Sequence, residues 1–326
     1  MHLLNPETER QRYIYGILMA SLGSVFFSGK AIIIKVAFGY GSTPEILLAL
    51  RMLLAMPFFW IIYWLHSRKL RREPLTFEDR IKLFGLGFMG YFISSYLDFL
   101  GLQYISAGLE RIVLYLTPTI VLLISYFALG KRISRLQWYA LIVGYLGVVV
   151  VYIQDTNSSN NKAWIGMILV FASACTYATY MITSGEMVRR IGSIRLVVYA
   201  STASTIFSLI QVLFHNPSAI LEQPIEIYWL SMINASVCTV IPMLLIMISI
   251  NWIGSPLVSQ AGILGPVSTI FMGWLVLSES VSWIQICGIM LVMAAMWLLV
   301  KNDSRPKISP ESALINNLEN PLEEAS

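Results

Sequence analysis

The chain has 326 residues, 57% of them hydrophobic and 12% charged, and its mean hydropathy is +0.70. A soluble globular protein carries about 25% charged residues, so this composition excludes one and places the chain in a lipid bilayer. The formal charge of +4 comes from residues dispersed among short loops rather than gathered on one face, which argues against nucleic acid as a partner.

A membrane-spanning helix takes roughly 20 apolar residues. Apolar runs bounded by charged or turn-rich breaks predict helices at 13–37, 44–65, 81–103, 107–129, 135–153, 163–187, 194–214, 227–250, 256–277 and 282–300. The first run lacks a clear small-residue cleavage site and outlasts a signal core, so it is expected to remain as a helix. The predicted fold class is therefore all-α integral membrane, with ten transmembrane helices.

Orientation follows from Lys and Arg. With both termini cytoplasmic, the inner segments hold 17 of the 22 basic residues, the outer loops hold Lys162 alone, and Lys30, Lys35, Arg51 and Arg111 fall within helices. Basic loops stay cytoplasmic, which predicts a multi-pass protein of the plasma (cell inner) membrane. The Asn- and Ser-rich segment 154–162 is then an external linker between residues 1–153 and 163–301, with five helices each. Because five is odd, the second set begins on the opposite face from the first. The Asn-, Ser-, Pro- and Glu-rich stretch 302–326 cannot bury enough surface to order itself and is expected to form a disordered cytoplasmic tail.

A constant offset of 148 relates the two sets. It pairs Leu129-Gly130-Lys131-Arg132-Ile133-Ser134 with Leu277-Ser278-Glu279-Ser280-Val281-Ser282, Pro118 with Pro266, Gln137 with Gln285, and Tyr104 with Trp252. Identity is low, seven of 49 positions between 102–150 and 250–298. The co-aligned prolines and the inversion from a basic to an acidic turn nevertheless point to two inverted five-helix repeats, the construction of many secondary transporters.

Ionisable groups in the bilayer are costly and are functional candidates by default. Lys30 and Lys35 lie in the first predicted helix, Arg51 in the second, Asp98 in the third, and Glu110 with Arg111 at the start of the fourth. At 1.5 Å rise per residue all six fall in the outer half of the membrane, forming one neighbourhood. Lys30, Arg51, Asp98, Glu110 and Arg111 are candidates for binding a charged small-molecule substrate or for gating. Their bland alternative is snorkelling or fixed ion pairs between helices, the favoured reading for Lys35 beside the water. Adjacent opposite charges at Glu110 and Arg111 must find separate partners. A carboxylate here can carry a coupling proton if burial holds that proton.

Pro118 and Pro266, placed one third to one half of the way down their helices and matched across the repeat, are candidate hinges, since proline removes a backbone hydrogen bond. Tyr96, close to Asp98, and Tyr177, Tyr180 and Asn234, with Thr239, are polar handles for a substrate; their alternative is bonding between helices. Gly85, Gly87 and Gly90 suit close helix approach. Cys175, Cys238 and Cys287 are too far apart for a metal pattern. No nucleophile with a carboxylate pair and no phosphate loop is found, so neither an enzyme nor a cofactor or metal is expected. Nothing in the chain specifies an oligomeric state.

Three stretches carry a family resemblance: Ala49-Leu50-Arg51-Met52-Leu53-Leu54-Ala55, the run LQYISAGLERIVLYLTP from Leu102 to Pro118, and Gly265-Pro266 with Leu277-Ser278-Glu279. With them the chain resembles the drug/metabolite transporter superfamily, EamA type, over residues 13–300. It departs from the family pattern at Lys131, where the first half would carry Glu. The resemblance implies ten helices in two inverted repeats, alternating access, and a central cavity bounded by the first, third, fourth, sixth, eighth and ninth helices. It also implies export or exchange of amino acids and related metabolites, and names no particular substrate. The expectation is a secondary transporter exporting a small polar metabolite, an amino acid or relative. The alternatives are a nucleoside-like or cofactor-like solute such as S-adenosylmethionine, and a non-transporting scaffold or sensor.

Overall fold

The computed structural model describes residues 9–67, 75–130, 132–158, 162–215, 217–262 and 264–303. Lys131, most of the expected tail and the basic residues Arg68 to Arg72 lie outside these.

In chain order the helices are α1 (Glu9–Gly39), α2 (Pro44–Ser67), α3 (Phe77–Gly87), α4 (Ser94–Leu102), α5 (Ala107–Tyr115), α6 (Thr117–Leu129), α7 (Arg135–Ser158), α8 (Ala163–Ile191), α9 (Ser193–His215), α10 (Ile225–Ala235), α11 (Ile241–Ala261), α12 (Leu264–Leu277) and α13 (Trp283–Asp303). A π-helical turn, Phe88–Ile93, joins α3 to α4, and another, Ser236–Val240, joins α10 to α11. Eight helical runs are long and apolar enough to cross a membrane, and α12 and α13 are shorter apolar helices. Most predicted boundaries lie within a few residues of these. Helices satisfy every interior backbone group within the segment, which is why a chain this apolar folds in this form.

The repeat offset reappears in the backbone. The π turns begin at Phe88 and Ser236, 148 residues apart. Gly130 takes φ +63° and Ser278 takes φ +54°, again 148 apart. The carbonyls of Ser125 and Gly273, 148 apart, both accept from the turn that follows, though from donors one position out of register, Gly130 and Glu279. The next helices start alike, with Ser134 and Ser282 hydroxyls accepting from the N–H groups of Gln137 and Gln285, an ordinary N-cap.

Each proline stands in the first turn of a helix, Pro118 in α6 and Pro266 in α12. Pro118 lacks the N–H that would bond Leu114, and the Thr117 hydroxyl takes that carbonyl instead, at 2.5 Å. Leu116 bridges α5 and α6 with ψ near 0°, so the fourth predicted helix is broken where proline predicts. Pro266, like Pro118, does not lie partway down a helix. It sits in the first turn of α12, where proline is tolerated because the missing N–H is unsatisfied anyway. Its freed carbonyl, Gly262 O, accepts from Gly265 N–H at 2.9 Å and from the Ser24 hydroxyl of α1 at 3.2 Å. The predicted boundary at 250–256 also differs, since α11 runs to Ala261. Ile253 faces Gly16, whereas Gly262 reaches Ser24, two turns further along α1. The chain therefore reverses direction between Ile253 and Gly262.

Contacts along α1 define two ends. The Lys35 end carries the start of α5 and the turn after α12; the other carries the start of α3 and the last turn of α8. Near the Lys35 end Ile34, Leu48, Phe99, Leu102 and Ile227 form a buried core, and Leu109, Ile112, Val113, Val170 and Val292 form another. Of the three glycines assigned to close approach, Gly87 and Gly90 fit: an added Cβ would strike Ala200 and the Tyr180 ring. Gly85 has open space instead.

Candidate functional site

The site is assembled from α1, α2, α4 and α5. On α1, Lys30 is buried and its Nζ lies 2.5 Å from Asp98 Oδ2 of α4 and 3.5 Å from Glu110 Oε1 of α5. The first contact is a charge-assisted hydrogen bond. Glu110 is 0% exposed, and neither of its oxygens has a hydrogen-bond partner; nor does Asp98 Oδ1. Burial of a carboxylate is costly unless paired, and here two carboxylates share one ammonium.

Two guanidiniums flank this centre. Arg51 of α2 donates from Nε to Thr239 Oγ1 at 3.0 Å, stands over the Phe99 ring at 5.5 Å, and leaves Nη1 without a partner. Thr239 lies in the second π turn and donates to Asn234 O at 2.9 Å. Asn234 is thus tied through Thr239 to Arg51, and its own Oδ1 is buried and unpartnered. A π turn widens the helix by one residue and is found most at functional sites; this one places Thr239 against Arg51. Arg111 points away from Glu110, as adjacent helix positions must. Its guanidinium lies 5.0 Å from the centroid of the Phe27 ring, which Lys30 Nζ approaches at 5.8 Å. Its Nη2 lies by Gly265 at the start of α12 together with the Ser24 and Ser28 hydroxyls, and its Nε has no partner.

The other sequence candidates divide. Tyr96 does not bond Asp98; its hydroxyl donates to Glu45 Oε1 at 2.8 Å and its ring stacks on Phe92. Tyr180 packs edge-on against Tyr91, and Tyr177 stacks on Tyr180 while 41% exposed. Tyr91 lies within the first π turn, and Tyr177 and Tyr180 pack beside it. Sequence reasoning missed Phe27, the aromatic shared by two cations, and Glu45. A helical i, i+3 spacing of Phe27 and Lys30 was the available signal.

It also missed two ion pairs that join the N-terminal half of the chain to the C-terminal half. At the Lys35 end, Lys35 Nζ bonds Glu279 Oε1 at 3.0 Å, and the same oxygen accepts from Ala107 N–H at 3.1 Å. Glu279 therefore holds α1 and the start of α5 together, one turn above Glu110. At the other end Asp79, which also closes a capping box with Thr76 at the start of α3, pairs with Arg190 of α8.

Long apolar helices with ionisable groups buried between them define a multi-pass membrane protein. Comparison with known proteins gives the family. The chain belongs to the EamA-like transporter family, which it matches twice, over residues 14–153 and 164–301. It is 32% identical over 278 residues to the uncharacterized transporter YcbK of Bacillus subtilis, covering 84% of this chain and 88% of that one. With the uncharacterized transporter YoaV of the same organism it shares 23% over 257 residues, covering 78% and 86%. A crystal structure superposes with a TM-score of 0.63 over 90% of this chain and 100% of that one at 16% identity, a likeness of fold alone.

Proposed function

We propose that the protein is a secondary transporter that carries a small zwitterionic metabolite, an amino acid or relative, outward across the plasma membrane by alternating access. The observation that carries this reading is the incomplete pairing of its buried charges. A charge network that merely joins helices is expected to satisfy its members, whereas Glu110, Asp98 Oδ1, Arg51 Nη1 and Arg111 Nε keep unused capacity. Unused acceptors and donors in one neighbourhood suit a solute bearing both an amino and a carboxylate group.

In this reading the chain crosses the membrane ten times, in inverted repeats 1–153 and 163–301 with both termini cytoplasmic, so that the Lys35 end faces outward. The Lys35–Glu279 and Asp79–Arg190 pairs support alternating access, since each ties the two halves together at one end of the bundle. Opening either end requires breaking its own pair. Proton coupling through Glu110 is compatible with the same geometry.

Flux from proteoliposomes loaded with a labelled metabolite panel tests the function. Saturable efflux of amino acids supports it, efflux confined to nucleoside-like solutes redirects it, and no flux of any member leaves a scaffold. Reporter fusions at Ser134 and at the C-terminus should read cytoplasmic and one at Ser158 external; any other pattern overturns the ten-crossing topology.

A further inference from the structure

We propose that Lys30 is a tethered counter-ligand: between transport events its ammonium occupies the seat at Asp98 and Glu110 that the amino group of the solute otherwise takes. The inference rests on the transport reading above and concerns how the unloaded protein resets.

The seat is larger than Lys30 needs. A lysine ammonium has three donors, and here it makes a single hydrogen bond, to Asp98 Oδ2. Asp98 Oδ1 and both Glu110 oxygens remain as buried acceptors. A primary amine of comparable size can be accommodated only if it takes over part of that contact, because the three side chains are 7%, 3% and 0% exposed. With Nζ in the seat, the Phe27 ring one turn earlier on the same helix already lies 5.8 Å away, so an ammonium that shifts off the carboxylates can stay within the about 6 Å over which an aromatic face stabilises a cation.

Neighbouring groups fit the same exchange. Arg111 approaches the same ring at 5.0 Å and keeps an unpartnered Nε, and Arg51 keeps Nη1. These donors suit the carboxylate of a solute whose amino group enters the Asp98–Glu110 seat. When the solute leaves, two buried carboxylates without a cation would be strongly disfavoured. The unloaded protein can change conformation only if something positive returns to the seat, and Lys30 is the group within reach. Without Lys30 the protein should still swap one solute for another, because a solute then fills the seat in both directions, but should be unable to return empty.

The test separates these modes. Full-length protein is reconstituted into liposomes loaded with a ¹⁵N-labelled mixture of the twenty amino acids, and efflux is measured into amino-acid-free buffer and against the same mixture unlabelled. Lys30→Met should lower net efflux at least about tenfold more than it lowers exchange. Lys30→Gln, which retains hydrogen bonding to the carboxyls and so guards against misfolding, should show the same split, and Lys30→Arg should preserve both modes. Equal loss of net efflux and exchange in Lys30→Gln, or net efflux unchanged, overturns the proposal and leaves Lys30 a structural pin. If the unmodified protein moves none of the mixture in either mode, the transport reading itself falls, and the role of Lys30 with it.

Discussion

The two halves of the molecule have nearly the same backbone and very different chemistry. A π turn, a proline break, a left-handed residue and a serine cap recur at an offset of 148. The charges do not recur: the positions matched to Asp98, Glu110 and Arg111 are Ile246, Val258 and Ser259. Under the proposed function, the shared backbone irregularities would be what moves and the unshared buried charges of the first half what binds.

The sharpest way to break that division is to neutralise the first half alone. Glu110→Gln or Asp98→Asn should lower solute flux by about a hundredfold or more, because removing one partner from a buried charge group costs about 3–5 kcal/mol. Membrane abundance should stay near normal. Flux measured per molecule of reconstituted protein makes the check; a fall in abundance with unaltered flux per molecule would return these charges to a structural role and erase the contrast between halves.

Next in size are the pairs that join the halves. In a background without Cys175, Cys238 and Cys287, a cysteine at Ser28 reports access to the centre. Glu279→Gln should raise its labelling by an impermeant thiol reagent from the Lys35 side about three- to tenfold, and Asp79→Asn from the opposite side, as expected when one state loses a contact worth about 1 kcal/mol. Both substitutions acting on the same side would show that the pairs are not alternating closures. The Asp79–Arg190 effect should be the smaller, since the Arg190 side chain is 48% exposed and solvent weakens the pair.

The matched prolines should respond unequally. Both prolines stand in the first turn of their helices, so Pro→Ala restores an N–H there for much less than the interior cost of about 3 kcal/mol. At Pro118 the released carbonyl is already capped from within its own helix by Thr117; at Pro266 it is held by Ser24 of the other half. Pro266→Ala should therefore loosen a contact between halves and slow flux several-fold, with Pro118→Ala changing it less than about threefold. Equal effects would mean that the two breaks are the same hinge twice.

Much of this was legible in the chain. Charges inside apolar runs announced the site because lipid makes them costly, and matched prolines announced a repeat that identity alone barely carries. What stayed hidden was set by tertiary packing. Nothing local tells Tyr96 to choose Glu45 over the nearer Asp98, or Lys35 to meet a carboxylate 244 positions away. The π turns leave no side-chain signature, whereas Asn251, Gly254, Ser255 and Pro256 did mark a break near the chain reversal, within a run that nevertheless folds as helix to Ala261. Lys35 was expected to snorkel or to form a fixed ion pair between helices; it pairs with Glu279, a partner that depth alone does not name.

The smallest expected effect concerns the one backbone position where the halves match in shape but not in residue. Gly130 adopts φ +63° and Ser278 adopts φ +54°, a region where an L side chain is strained by roughly 1–2 kcal/mol and glycine is not. Ser278→Gly should stabilise the protein by about 0.5–1 kcal/mol once the greater freedom of glycine in the unfolded chain is set against the relieved strain. Gly130→Ser should destabilise it by a similar amount. Thermal unfolding in detergent should then shift by about 1–3 °C in opposite directions. Because Glu279 follows directly and its N–H is anchored on Gly273 O at 3.1 Å, the turn should keep its shape and the labelling of the Ser28 cysteine should not change. Increased labelling from the Lys35 side in Ser278→Gly would mean that the strained serine itself holds Glu279 against Lys35, making this turn part of the closure rather than a relic of the repeat.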